Sequence, residues 1–393
     1  MESGTKSGHH DAPAAPVGFL ELFYDLIFVA STMVLSNEFA QGPSWSAARN
    51  CALMFAVLWL LWFHTTVLMN VERRDDLGQR GLIFAQMFLI FVATLVFVQK
   101  DSTTDLVGAV YLLAVLLVAY AHHRLINQPD PVGAWAKSRR NRLVLAGLVM
   151  VAGIIVPDGP DWLLYGAAVL LLIVPTSLSG QHGRPVPVVD AHHLSERAAL
   201  LTLVVMGESF VKSALVISAG AIDAYDVIAL VVLFAILFGL FSAYFDDVPK
   251  AGIRPGPLSG EMWLLAHLLL QLAIVALAIG VSKYLQLGEA PVPPKAVVIL
   301  MVAYVGIFLG LALISAFDQR VPRWSTIGVH LSAAGAALGL GLLTLLLDPV
   351  TPGMFLIALA AVSIGDAVMS WRVRQNTVVL ADDPRPIVAG EER

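Results

Sequence analysis

Long apolar runs alternate with short polar connections along the whole chain, and they predict twelve helices. Their expected bounds are 17–40, 50–69, 82–99, 105–123, 143–156, 161–179, 198–218, 224–245, 262–286, 296–316, 324–347 and 352–371. Most approach or exceed the ~20 residues that cross a ~30 Å hydrocarbon layer. The fifth is short, and a Pro-Asp-Gly-Pro-Asp turn at 157–161 separates it from the sixth. Residues 1–16 are polar, with His9-His10 and no apolar stretch, and read as a flexible tail rather than a cleaved signal. The expected architecture is an all-α, polytopic transmembrane helix bundle.

Composition agrees. Hydrophobic residues make up 58% of 393 and charged residues 13%, about half the share of an ordinary soluble chain. The lipid bilayer is therefore the expected partner. A net charge of -5, with no basic tract interleaved with aromatics, argues against nucleic acid. The single cysteine, Cys51, leaves no intrachain disulfide. An oligomer is compatible with this sequence but not indicated by it.

The positive charges orient the spans. Nineteen Lys and Arg fall on the even-numbered connections and the two tails, four on the odd connections, and Lys212 lies within a span. By the positive-inside rule both termini, and the 132–141 connection with Lys137, Arg139 and Arg140, face the cytoplasm.

Two halves of six spans align as parallel repeats. Glu21 pairs with Glu196 at an offset of 175, and Asn70 with Asp246 at 176. Gln86 pairs with His267, and the 157–161 turn with the one at 348–352. An even number of spans per half gives both the same topology, one of the repeat arrangements of secondary transporters. The expected organisation is a tail at 1–16, a first half at 17–179, a cytoplasmic connection at 180–197, a second half at 198–371 and a flexible tail at 372–393.

Charges inside such spans carry the chemistry. A carboxylate in a lipid-spanning helix costs about 2.5–3.5 kcal/mol on insertion scales, so it persists only against protein or a wet cavity. Glu21 and Asp25, four apart on one helix face, suit a proton or cation site, or a structural ion pair with Arg197 or Arg73. Glu208 is expected near the bilayer midplane, with Gly207 permitting close helix approach. Lys212, one turn on, either neutralises it or snorkels outward. Ser209 and Arg197 extend the polar face, while Asn70, Asp246 and His267 lie at the inner ends of their spans, where with Glu21, Asp25, Glu196 and Arg197 they are expected to form one polar cluster. The pairs His122-His123 and His192-His193 lack further ligands at a metal-site spacing. His64 and His330 read as bundle-interior hydrogen-bonding groups. No cofactor is indicated.

Leu20-Glu21-Leu22-Phe23-Tyr24-Asp25-Leu26-Ile27-Phe28-Val29 resembles the opening signature of the bacterial low temperature requirement A family. His193-Leu194-Ser195-Glu196-Arg197, followed by Gly207-Glu208-Ser209, resembles its second signature. Trp62, Thr66, Asn70, Tyr244-Phe245-Asp246 and His267 are lesser matches, and the resemblance runs from 17 to 371. It implies a multi-span bacterial membrane protein without supplying a reaction. Lys212 departs from the usual small or apolar residue. The 74–80 connection partly resembles a major-facilitator loop, but Glu72 stands where that loop requires glycine.

Three functions fit these residues. A proton- or cation-coupled secondary transporter of a small solute would use the buried carboxylates. A structural or regulatory membrane protein would use them to specify packing. An enzyme acting on a lipophilic substrate would use them with His267 as acid and base, but no nucleophile motif, diphosphate metal motif or phosphate loop accompanies them.

Overall fold

The computed structural model describes residues 17–72, 76–99, 104–156, 161–174, 187, 189–218, 222–254, 258–287, 293–319, 323–347 and 351–381. The helices are α1 (Phe19–Gln41), α2 (Trp45–Val71), α3 (Leu77–Phe97), α4 (Thr104–His123), α5 (Val132–Ile155), α6 (Asp161–Ile173), α7 (Ala191–Ile217), α8 (Ala224–Phe245), α9 (Val248–Ala251), α10 (Ser259–Leu287), α11 (Pro294–Ala316), α12 (Arg323–Leu346) and α13 (Pro352–Ala381). All twelve expected spans correspond to helices, and α9 is a single added turn. Among the described residues no strand forms, only an isolated bridge between Ile253 and Asp318. Among the described residues ten helices are long and apolar enough to cross a membrane; of the twelve expected spans, α5 and α6 are the exceptions.

Local chemistry sets several helix starts. Asp76, Asp190 and Asp223 each accept a backbone N–H from the first turn of α3, α7 and α8. Glu21 reaches back to the Gly18 N–H at 2.9 Å and so begins α1.

Three expected boundaries move the most. The 132–141 connection is not a loop. It forms the first turns of α5, because its Ala, Trp, Lys and Arg residues favour helix and nothing in it breaks one. Helix α7 starts at Ala191 on its Asp190 cap, and α13 continues past 371 to Ala381. The 1–16 tail, Arg73, the 157–160 turn and most of the 348–352 turn lie outside the described residues.

Each half follows the same circuit of neighbours. In the first, α1 touches α2 and α3, α3 touches α4, α4 touches α5, α5 touches α6, and α6 returns to α2. In the second, α7 touches α8 and α10, α10 touches α11, α11 touches α12, α12 touches α13, and α13 returns to α8. The halves meet where α1 and α2 face α7 and α10. Helices α2 and α10 are accordingly the most enclosed. Phe84, Phe88, Phe234, Phe238, Leu309 and Leu342 point outward, as a lipid-facing surface requires.

Close packing holds the circuits. A Cβ at Gly310 on α11 would lie 3.0 Å from the Leu270 backbone on α10, and one at Gly239 on α8 would lie 2.7 Å from the Ser363 backbone on α13. Gly207 behaves otherwise. A Cβ there meets nothing within 4 Å, so it is not the close-approach point expected from sequence.

Candidate polar seam between the two halves

Helices α1 and α7 run side by side and parallel, and three of the contacts between them share one register. Glu21 meets His193, Asp25 meets Arg197 and Ser36 meets Glu208, each pair 172 positions apart. Along this seam the side chains form three tiers.

The first tier lies at the end where α1 begins. Arg197 is fully buried; its Nη2 donates to Asp25 Oδ1 at 2.6 Å, and its Nη1 lies 3.1 Å from Glu21 Oε1. Trp62 Nε1 on α2 also donates to Asp25 Oδ1 at 2.7 Å, with the guanidinium over its ring at 5.7 Å. His193 Nε2 donates to Glu21 Oε2 at 3.2 Å. Asn70 closes the tier by clamping the α7 cap: its Nδ2 donates to Asp190 O at 3.0 Å, and the Asp190 N–H donates to its Oδ1 at 2.8 Å. The end of α2 is thereby tied to the start of α7.

The middle tier is neutral. Trp59 Nε1 donates to Gln271 Oε1 at 2.8 Å, and Gln271 Nε2 donates to Thr202 Oγ1 at 2.9 Å. All three are fully buried. Nearby, Gln86 Nε2 donates to the Tyr24 hydroxyl at 2.7 Å and Thr65 Oγ1 donates to Gln86 Oε1 at 3.0 Å.

In the far tier Glu208 accepts from Ser36 Oγ and pairs with Lys212 Nζ at 3.5 Å, while Lys212 also donates to Asn37 Oδ1. Lys212 is 4% exposed, so it pairs rather than snorkelling. Eleven residues separate Arg197 from Glu208, about 16 Å along the helix. Because α7 begins at Ala191, Glu208 lies about 6 Å beyond the helix midpoint, and Thr202 is the more central residue.

Not every expected site residue joins the seam. Glu196 is one position from Arg197 and therefore about 100° around the helix; it is half-exposed, and His193 takes its expected level opposite Glu21. Asp246 is exposed and pairs with Lys250 at 3.6 Å, while Asp247 is the buried neighbour and pairs with Arg374 at 3.5 Å. His267 is fully buried within the second half, its Nδ1 donating to Trp263 O and its Nε2 accepting from Tyr244, both at 2.9 Å. Ser209 is fully buried beside Glu208, and its Oγ has no hydrogen-bond partner.

Sequence reading missed the Trp59–Gln271–Thr202 node, Asn37, and Arg139 on α5, which pairs with Glu261 on α10 across the halves. Gln271 and Thr202 are polar residues inside apolar runs, the same signal that revealed Glu208. His64 accepts from Arg139 Nη1 at 3.1 Å and His330 donates to Asp366 at 2.9 Å, so both are the interior hydrogen-bonding groups expected.

Ten long apolar helices joined through buried charge define a multi-pass integral membrane protein. The bacterial low temperature requirement A (LtrA) family matches residues 16–364, nearly the whole chain, and the protein belongs to that family. It is also similar to an uncharacterized protein of Rhizobium meliloti (strain 1021), 27% identical over 201 residues. That alignment covers 49% of each chain, so the match spans about half the length of the relative.

Proposed function

We propose that this protein is a proton- or cation-coupled secondary transporter of a small solute, with the α1–α7 seam as its pathway. The observation that carries the reading is the nature of the contact between halves. Beside an apolar core shared by both halves, polar links cross it at Glu21–His193, Arg197–Glu21, Arg197–Asp25, Asn70–Asp190, Ser36–Glu208, Asn37–Lys212, Trp59–Gln271 and Arg139–Glu261. Polar contacts can exchange for water as two bodies part, whereas an apolar interface must expose its area. Hydrogen-bonding capacity is also left over along the seam. Ser31 Oγ, Asp25 Oδ2, Glu208 Oε2 and Ser209 Oγ are buried without a protein partner. Such atoms suit water or a polar solute.

The matching circuits support descent from a six-helix duplication, with α1 and α7 beside the pseudo-twofold. The Lys and Arg bias supports cytoplasmic termini. The first tier is then the inner gate and the Glu208–Lys212 tier the outer one.

A structural role for the charges is favoured by one observation, that Arg197 is shared by Glu21 and Asp25, so the first tier already holds its own counter-ion. Flux measurements separate the two. Proteoliposomes on a solid-supported membrane would be challenged with amino acids, sugars and inorganic cations across pH 5–8. A solute-evoked, pH-dependent current in the wild type that is lost in Glu208→Gln and in a stable Glu208→Gln/Lys212→Met double variant supports transport. Full current in that double variant excludes Glu208 from the pathway.

A further inference from the structure

Outside the seam, the first half contains a second buried cluster with more hydrogen-bond donors than acceptors. Arg139 and Arg142 stand three positions apart on α5 and so share a face. Arg139 is 2% exposed; its guanidinium pairs with Glu261 and lies over the Phe63 and Trp135 rings at 5.1 and 5.7 Å. Arg142 is half-buried, and its Nη1 donates to the Val174 carbonyl just past α6. Three further guanidinium atoms, Arg139 Nε, Arg142 Nε and Arg142 Nη2, are buried with no hydrogen-bond partner.

Two imidazoles border these arginines, and their partners settle their tautomers. His64 Nδ1 accepts from Arg139 Nη1 at 3.1 Å, since a guanidinium only donates, so the proton of a neutral His64 is on Nε2. His122 Nδ1 donates to the Val118 carbonyl at 2.9 Å, which leaves its Nε2 as an acceptor. The rings are 6.2 Å apart; His122 Nε2 is buried without a hydrogen bond, and His64 has the Leu172 carbonyl on α6 as a second polar neighbour. The local charge does not balance. Two guanidinium cations face one carboxylate, Glu261, among the described residues, and an unneutralised charge at this burial is costly.

We propose that this cluster between α2, α4, α5 and α6 binds a phosphate-type oxyanion, held chiefly by Arg142 and Arg139 with His64 and His122 at its edge. Guanidinium forks match the spacing of phosphate oxygens, and each N–H to an anionic oxygen is a charge-assisted bond. One negative charge balances the surplus cation. The His122 acceptor suits a protonated oxygen on the same ligand. The cluster lies at the Lys- and Arg-rich end of the bundle, so the oxyanion can come from solution or from the head group of an anionic lipid. This inference does not depend on the transport reading.

Binding to the purified full chain tests it. Thermal unfolding would be followed while inorganic phosphate is titrated against chloride at matched ionic strength, and separately while phosphatidylglycerol is titrated against phosphatidylcholine. A ligand that binds only the folded state raises the unfolding temperature saturably. Stabilisation by phosphate alone identifies a soluble oxyanion, by phosphatidylglycerol alone a lipid head group, and by both a site open to either. In each case Arg142→Gln should weaken the midpoint about tenfold, as expected for lost charge-assisted hydrogen bonds. Arg140→Gln, at the protein surface, should leave it within about twofold. If Arg142→Gln does not fold, Arg142→Lys, which keeps the charge but loses the planar fork, should weaken the midpoint several-fold. Failure of both ligands to stabilise the wild type, or equal weakening in Arg140→Gln, overturns the proposal.

Discussion

At the scale of single residues, the buried carboxylates differ in how they are satisfied, and that difference predicts their behaviour. Asp318 follows α11, outside the spanning helices, and is fully buried; among the described residues Trp263 Nε1 is the one side chain that donates to it, at 3.0 Å. Burial raises its carboxyl from 3.8 to about 8; the Trp263 bond opposes this, and the nearby Asp247 charge adds to it. The folded state therefore binds this proton more tightly than the unfolded one, so the contribution of Asp318 to stability is greatest below about pH 4 and falls as pH rises toward 8. Asp318→Asn keeps the tryptophan's acceptor and removes the titration. It should flatten stability between pH 4 and 8 and gain about 1–3 kcal/mol at pH 8, read by denaturant unfolding in detergent. Glu208 makes the opposite case, because its cation is beside it. Glu208→Gln leaves Lys212 buried with Asn37 as its remaining polar partner and should destabilise by about 3 kcal/mol. Adding Lys212→Met should recover most of that loss. An unaltered unfolding midpoint in the single variant would show that the pair carries no stability.

At the scale of elements, hydropathy located the twelve helices because each is a continuous apolar run. The residues that set their rotation were harder to read. His193, Arg197, Glu208 and Lys212 recur at spacings that return to one face of α7, and Glu196 does not, yet all five are polar in an apolar background. Polarity alone cannot separate Asp246 from Asp247 either, because adjacent helical positions point about 100° apart. The cations of α5 read as a loop because charge masks helix propensity in a hydropathy pattern, and the Arg139–Glu261 link is hidden with them. Close packing gives a further test at this scale. Gly239→Ala places a methyl group 2.7 Å from the Ser363 backbone, so α8 and α13 must separate. It should cost about 1–3 kcal/mol by unfolding. Gly207→Ala, where nothing lies within 4 Å, should be neutral or slightly stabilising through helix propensity.

At the scale of the molecule, two packed bodies share a seam of polar side chains, and their relative motion is the central claim. Double electron–electron resonance in a Cys51→Ser background measures that motion without knowledge of the solute. One spin-label pair would sit at Phe19 and His192, where α1 and α7 begin, and another at Gln41 and Ser218, where they end; all four positions are exposed. The account predicts two distance populations at each end that shift in opposite senses between pH 5 and pH 8, one end closing as the other opens. A single narrow distance at both ends, unchanged by pH and by every solute that evokes current, would contradict it.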